Sequence, residues 1–480
     1  MNKTERPDFD AVVVGSGPNG LAAAINLQKN GYSTLLLESR DTIGGGLRSK
    51  ELTLPGFVHD VCSAIHPLAA GSPFFSTLPL RDHGLEFIYP EIPVAHPFTT
   101  GNAAVVTRDL QQTADMLGDD RETYLKLVAP LAGNWEALAG DILAPLRIPE
   151  HAVSMLRFGA DALRSAARLS RRFTGRDAKG LWAGMAAHSI LPLSTPATSA
   201  IGLVLLATAH ARGWPVAAGG SQRIADALGA CFRSMGGAIE TSVHVRSLSQ
   251  LPRSRVVLFD VTPRQLLEIA GHQFSSLYRW QLNRFRHGMG VFKIDWALDG
   301  PIPFTAPGCR KAGTVHLGNT FEEIAAGERA VWKGQHPERP FVLLAQQSVC
   351  DPLRAPEGKH TAWAYCHVPN GSPRDMTEAI ESQVERFAPG FRDRILARHT
   401  MNTIQLQDYN PNYYGGDIAG GMNDLSQLFS RPALRWSPYR TSAKGLYLCS
   451  SSTPPGGGVH GMCGYHASRR AIRDILRHKE

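Results

Sequence analysis

The chain has 480 residues, 43% of them apolar and 19% charged, with a formal net charge of +8. That length favours two or three domains over one, and the composition is that of a globular chain rather than a disordered one. No zinc finger, RNA-recognition signature or aromatic–basic stripe accompanies the positive charge. Nucleic acid is therefore set aside, and anionic lipid or an anionic ligand remains.

The seven cysteines are scattered and none forms a C-x-x-C pair. This argues against a disulfide framework, a zinc site or a dithiol redox centre; buried thiols in a reducing compartment are expected, and no metal site. Met1 to Asp8 read as polar residues rather than a leader, and no apolar stretch is long enough to span a bilayer. A cytoplasmic protein is expected, with peripheral membrane contact as an addition.

The first element is an apolar strand from Phe9, followed by Gly15-Ser16-Gly17-Pro18-Asn19-Gly20. Gly15, Gly17 and Gly20 form G-x-G-x-x-G. Gly15 permits the tight turn, Gly17 lets a pyrophosphate approach the backbone, and Gly20 lets the helix pack on the strand. The helix is expected to run to Asn30 with Gly31 at its end, aiming its positive N-terminus at phosphates. A second strand, Ser33 to Leu37, ends in Glu38, 18 residues after Gly20. A carboxylate there accepts both ribose hydroxyls of an adenosine and repels a 2′-phosphate.

A second glycine loop follows at once, Ser39-Arg40-Asp41-Thr42-Ile43-Gly44-Gly45-Gly46-Leu47-Arg48. An NAD domain would continue with another crossover helix and strand. Glycines at this place let backbone pass against a flat ring or a phosphate, with Arg40 and Arg48 adding positive charge, which favours FAD bound across a domain interface.

Residues 66 to about 210 are mostly helical in pattern. Within them His151 to Thr174 reads as one amphipathic helix closed by Gly175, with Arg157, Arg164, Arg168 and Arg171 on one face, Arg172 at its edge, and Met155, Ala162, Ala166, Leu169 and Phe173 mostly opposite. Such a face rests on anionic lipid or on solvent. Residues 211–270 return to a helix-then-strand pattern. Four strands, Gly290–Leu298, Thr314–Leu317, Phe341–Val349 and Thr361–Val368, suggest an antiparallel sheet. A helix from Met376 to Arg398 is predicted next, then a strand Gly445–Cys449 and a closing helix to about His478. The expected fold is a Rossmann-like α/β FAD-binding domain, discontinuous over 1–65, 211–270 and 440–480. Into it is inserted an α+β substrate domain, with a helical part at 66–210 and an antiparallel-sheet part at 271–439.

Four stretches resemble the phytoene-desaturase-like flavoproteins, within the amine oxidase and GDP-dissociation-inhibitor-like class. They are Val12–Ile25 with Glu38–Gly46 and Pro55–Asp60; Trp214–Leu228 with Gly236–Val245; Asn410–Pro432; and Gly445–Ser468. Asn410–Pro432 is similar to the subgroup related to pyridine nucleotide-disulfide oxidoreductase domain-containing protein 2. The resemblance implies backbone near Val245 at the adenine, a crossover from the substrate domain at Gly219 and Gly220, and the loop from Gly456 along the isoalloxazine. The chain departs from the pattern at Ser450-Ser451-Ser452, at His460 and at Leu258–Pro263.

Together these readings assign FAD to Gly15, Ser16, Gly17, Pro18, Asn19 and Gly20; to Glu38, Ser39 and Arg40; to Gly44, Gly45, Gly46, Leu47 and Arg48; to Val245; and to Gly456, Gly457, Gly458, Val459 and His460. FAD would accept hydride at N5. The candidate acid–base groups are His460, His66 and His59, with Asp60 beside the last; Tyr413 and Tyr414 are candidates for the pocket wall. No second strand-preceded G-x-G-x-x-G occurs, so a dedicated NAD(P)H site is not expected; the reduced flavin would pass electrons to oxygen, a quinone or another acceptor, or would not turn over. The resemblance implies dehydrogenation or desaturation of a small lipophilic, polyene- or isoprenoid-like substrate. A flavin-dependent double-bond isomerase, an amine oxidase and a non-enzymatic flavin-stabilised binding protein stay open as alternatives, as does the oligomeric state.

Overall fold

In the first sheet the strand Phe9–Val14 is central, its last four residues buried, as a parallel strand covered on both faces requires. The computed structural model describes residues 7–477; Met1–Arg6 and the expected helix end at His478 lie outside the described residues. Five strands pair in the order Leu446–Leu448, Ser254–Phe259, Phe9–Val14, Thr34–Leu37, Ala238–Glu240, and each neighbouring pair is parallel. Three distant stretches of chain thus meet in one sheet. Their carboxyl ends deliver Gly15, Glu38, Asp260 and Cys449 to one rim, where open α/β sheets bind ligands.

The helix Pro18–Lys29 begins after an extended Gly17, with proline in its first turn, and Gly31 leaves it at φ +82°. The helix Met462–Ala471 packs against it. Gly464 permits that approach, because a Cβ there would stand 1.8 Å from the Asn19 carbonyl oxygen.

The second sheet has seven strands in the order Ile395–Met401, Gly290–Leu298, His360–Val368, Val342–Ala345, Ala312–Leu317, Ile92–Pro97, Ala103–Val106. All pairs are antiparallel except Ala312–Leu317 with Ile92–Pro97. Side chains alternate between its faces. Ile294, Trp296, Val315, Leu344, Ala364 and Cys366 enter an apolar core that also takes Ile380 and Val384 of the helix Thr377–Glu385. The other face is mixed. The register sets His316, Leu343, Tyr365 and Lys293 in one lateral row, and Thr314, Ala345, Trp363 and Asp295 in the next. The helix Arg176–Ala187 lies close over this face because Gly184 has no side chain: a Cβ there would be 2.6 Å from His316 Nδ1.

Four expectations are corrected. The helix expected over Met376–Arg398 ends at Glu385, and Ile395–Met401 is a strand. Pro389-Gly390, with Gly390 at φ +84°, breaks the chain between them. The single helix expected over 151–174 is three pieces, Ala152–Ala162, Ala166–Leu169 and a 3-10 turn Ser170–Arg172. Ser165 accepts from the Arg168 N–H and starts a new cap, so the arginines do not form one continuous helical face. The strand expected over Phe341–Val349 is Val342–Ala345, with a 3-10 turn at Gln347–Val349. Finally, the stretch read as mostly helical contributes Ile92–Pro97 and Ala103–Val106 to the second sheet. No helix among the described residues is long and apolar enough to cross a membrane.

Candidate functional site

A cavity of about 410 Å³ runs from the rim of the parallel sheet to the mixed face of the second sheet, in the size range of small-molecule sites. Its first end is built by the glycine loop. Gly15 has φ +100°, and a Cβ on it would be 2.9 Å from the Asp260 carbonyl oxygen; one on Gly20 would be 1.9 Å from the Gly15 oxygen. The second glycine loop is pinned to the first, with the Gly44 N–H donating to the Ser16 carbonyl at 3.0 Å.

Glu38 joins both loops. Its Oε2 accepts from the Ser16 N–H at 3.1 Å and from the Ser16 hydroxyl, and its Oε1 accepts from the Arg40 N–H at 2.9 Å and from Ser39 Oγ at 3.2 Å. Arg48 stands 3.1 Å from Oε1, buried, and also donates to the carbonyls of Thr42 and Gly45. Arg40 donates to the carbonyls of Asp408 and Tyr409, which draws the segment after Gln407 over this end.

Asp260 occupies the inner side of the glycine loop, its Oδ2 accepting from the Gly20 N–H at 3.0 Å. Burial raises its carboxyl to about 7, with Glu38 adding to the rise and the loop N–H groups opposing it. The residues present fit an extended dinucleotide: glycine backbone at a helix N-terminus, an acid at the end of the second strand, and the Asn19 Oδ1, buried at the cavity wall without a partner among the described residues.

Of the residues read from sequence as cofactor contacts, Gly15, Ser16, Gly17, Pro18, Asn19, Glu38, Ser39, Arg40, Gly45, Gly46, Arg48, Val245, Gly457, Gly458 and Val459 line the cavity. Gly20, Gly44, Leu47, Gly456 and His460 do not, and serve packing behind it. Gly457 belongs to a close crossing, since a Cβ there would be 2.8 Å from the Ala419 carbonyl oxygen.

The three histidines separate. His460 turns away from the cavity: Gly456 and Gly458, at φ +110° and +128°, bend the loop so that its Nδ1 accepts from the Met462 N–H at 3.0 Å, while its carbonyl accepts from Ser72 Oγ at 2.7 Å. Burial pushes its ring down to about 4. His59 lies beneath the sheet face rather than on the cavity, its Nε2 2.7 Å from Thr53 Oγ1 and its Nδ1 3.8 Å from Asp295; burial takes it to about 4. His66 alone lines the cavity. Its Nε2 is 2.8 Å from Ser221 Oγ, whose own proton goes to the Ser63 carbonyl at 2.6 Å. His66 is therefore the Nε2–H tautomer with a lone pair on Nδ1, held neutral by burial at about 4. Tyr413 reaches the cavity and Tyr414 does not; Arg264 lies over the Tyr414 ring instead.

The far end was not legible as a site. Ile190, Ile201, Leu205 and Leu343 make it apolar, and His188, Trp214, Thr314, Trp363 and Tyr365 add polar atoms. Behind Trp363, whose Nε1 is buried without a partner among the described residues, lie Lys293 and Asp295, a buried ion pair. The signal was available in the strands, where K-x-D, T-x-H and W-x-Y-x-H recur at alternate positions on a single face.

A family model described as an NAD(P)-binding Rossmann-like domain matches residues 13–76. Pyridine nucleotide-disulfide oxidoreductase domain-containing protein 2 of Mus musculus is 28% identical, covering 98% of this chain and 94% of its own. The neurosporene-forming phytoene desaturase of Rhodobacter capsulatus is 24% identical, covering 97% of this chain and 94% of its own. Among solved structures, putrescine oxidase bound to putrescine aligns with a TM-score of 0.63 at 16% identity, over 98% of this chain and 99% of that one. An oxidoreductase from Methanosarcina mazei aligns with a TM-score of 0.63 at 16% identity, over 96% and 99%. These two likenesses are of fold.

Proposed function

We propose, from the premise that this chain is a flavoprotein oxidoreductase homologous along its full length to the phytoene desaturases, that it binds FAD and dehydrogenates or desaturates a lipophilic substrate. The observation that carries this reading is the division of one cavity. Its charged wall residues, Glu38, Arg40, Arg48 and Asp260, gather at the parallel-sheet end, and its far end is lined by aliphatic, aromatic and neutral polar side chains. Bound FAD supplies a hydride acceptor at N5. The chain's own contribution is positional. The glycine loop and Glu38 hold a dinucleotide, Gly45, Gly46 and Gly457–Val459 bring backbone to the middle of the cavity, and Ile190, Ile201, Leu205 and Leu343 exclude water from the substrate. His66 offers a neutral lone pair at the same wall for a single proton. Oxygen or a quinone takes the electrons onward.

The membrane partner has its support in exposed apolar residues rather than in an arginine stripe. Leu146, Ile148, Val153 and Leu156 are 66–91% exposed, and Arg157 is exposed on the same helix as the last two. That helix packs on Thr198–Arg212, whose Ile201 and Leu205 line the cavity. A lipid surface there would stand next to the apolar end.

The test is spectral. Denaturing the purified protein should release FAD in a one-to-one ratio, and anaerobic addition of a polyene, lipid or amine panel should bleach the flavin with one class. Turnover of a double bond without bleaching favours the isomerase, bleaching by amines alone favours the amine oxidase, and protein that neither carries nor rebinds FAD defeats the proposal.

A further inference from the structure

The far end of the cavity carries two hydrogen-bond donors directed at no protein acceptor. His188 caps the C-terminus of the helix Arg176–Ala187 and lines the cavity. Its Nε2 lies 2.9 Å from His316 Nε2, so one of these nitrogens carries a proton and the other a lone pair. The His316 ring decides which. Its Nδ1 is sealed under Gly184 with no partner among the described residues. Buried N–H groups left without an acceptor are rarer in folded proteins than acceptors with an unused lone pair. His316 Nδ1 therefore holds the lone pair, and Nε2–H donates to His188 Nε2. The His188 proton then sits on Nδ1, a nitrogen with no other partner among the described residues.

Thr314 stands two residues before His316 on the same sheet face. Its Oγ1 accepts from Trp214 Nε1–H at 2.9 Å, and its own proton has no acceptor among the described residues. The Trp214 ring meets His188 edge-on, with centroids 6.4 Å apart, so both donors flank one indole at the cavity wall.

We propose that the substrate carries a neutral oxygen acceptor, a carbonyl, ether or hydroxyl oxygen, held by His188 Nδ1–H and Thr314 Oγ1–H, and is thus an oxygenated apolar molecule rather than a bare hydrocarbon. The inference rests on the reading that this cavity end receives the substrate. Both histidines are neutral: burial, with His367 nearby, takes His188 to about 3, and burial, with His188 and His96, lowers His316 well below its usual value. A carboxylate at this end would have no cation to meet it among the cavity-lining groups, all of whose charges lie at the nucleotide end. Ile190, Leu205 and Leu343 provide for the rest of the molecule.

The experiment compares three probes of one skeleton, farnesene, farnesol and farnesal, by the change each makes in the absorption of the bound flavin of the holoprotein. The alcohol and aldehyde are expected to bind about tenfold or more tighter than the hydrocarbon, since a site built to hydrogen-bond an oxygen discriminates against its absence. His188→Leu and Thr314→Val should each reduce that preference, and together bring it within about threefold. His188→Asn, which returns an N–H near the position of Nδ1, should restore part of it, which a loss of packing would not. Equal binding of the three, binding of none, or a preference that survives His188→Leu overturns the proposal. Wild-type protein that retains no FAD would instead overturn the flavin reading on which it rests.

Discussion

Asp60 and Arg354 meet at 3.0 Å with both side chains wholly buried. Arg354 also holds Asp351 at 2.8 Å, and Asp351 accepts from the Gly219 N–H at 2.8 Å. Asp60 in turn accepts from the Ser221 N–H at 2.7 Å and from Ser49 Oγ at 2.8 Å. One guanidinium thus fastens the segment that follows the second glycine loop, the Gly219–Ser221 turn and the connection between Val342–Ala345 and His360–Val368 of the second sheet. Arg354→Met leaves two carboxylates buried without a cation, and is expected to cost about 3–5 kcal/mol in urea unfolding. Burial alone would raise the Asp60 carboxyl, but Arg354 and the hydrogen bonds from Ser221 and Ser49 outweigh it and hold it below the ordinary value. The stability from this group is therefore fully present above roughly pH 4 and lost as pH falls through its folded value. Unfolding titrations of Asp60→Asn should have a shallower acid limb than wild type; an unchanged limb would place the acid sensitivity elsewhere.

Glu38 is committed to Ser16, Ser39, Arg40 and Arg48 before any ribose arrives. Glu38→Ala therefore strands a buried arginine as well as removing the proposed ribose acceptor, and should lower both FAD affinity and apoprotein stability. Glu38→Gln keeps the shape and isolates the charge. Titration of its apoprotein should give an FAD Kd weaker by about tenfold, the equivalent of one charge-assisted hydrogen bond. An unchanged Kd would move the ribose contact to another residue.

Asp260 is expected to couple nucleotide binding to pH. Its carboxyl, at about 7, holds a proton in the folded chain that the unfolded chain has released, so its contribution to stability falls as pH rises between roughly 4 and 7. A diphosphate bound at the same helix N-terminus would disfavour the carboxylate further. FAD binding near neutral pH should take up a proton, and affinity should weaken from pH 6 to 8.5. Asp260→Asn should bind with little dependence on pH, and calorimetry in buffers of different ionisation enthalpy measures the difference. Equal pH slopes in the two proteins would remove Asp260 from the linkage.

His460 acts on the helix that follows it. With Nδ1 accepting from the Met462 N–H, His460→Ala should lose about 1 kcal/mol, the usual cost of a cap. It should leave anaerobic flavin reduction within about threefold of wild type, and His460→Asn should recover stability. A hundredfold slower reduction in His460→Ala would return the residue to acid–base chemistry.

Vesicle sedimentation tests the lipid surface. Wild-type protein should bind phosphatidylglycerol vesicles at low salt and release as salt rises. Ile148→Glu with Leu156→Glu should weaken binding by about tenfold or more. No wild-type binding at low salt would leave the patch without a lipid role.

What could be read from the chain was whatever depends on near neighbours. G-x-G-x-x-G between an apolar run and a helix needs only contiguous residues, and Phe292–Trp296 alternates apolar with charged residues inside an apolar segment, so strand, loop and helix were recognisable with little error. The helix expected to Arg398 went wrong at Pro389-Gly390, where a local stop signal was present but outweighed by the apolar pattern around it. Ile92–Pro97 reads weakly as a strand, with two prolines in six residues, and is held by its neighbours in the sheet. The roles of Asp260 and His188 follow from partners far away in sequence, Gly20 and His316, and no spacing rule connects them. His460 misled for a related reason: glycines on both sides gave the loop freedom to point its ring either way.

The two faces of the seven-stranded sheet have an evolutionary consequence. Tyr365 meets the ligand cavity, whereas its chain neighbours Ala364 and Cys366 meet the helix-backed core. Substitutions at Trp363 and Tyr365 can change what the cavity accepts while Ala364 and Cys366 go on holding the sheet to its helix. Specificity and foldability are interleaved at single-residue spacing yet separately adjustable, so relatives with this scaffold can diverge in substrate by point replacements. A one-residue insertion within the strand would exchange the two sets and damage both properties together.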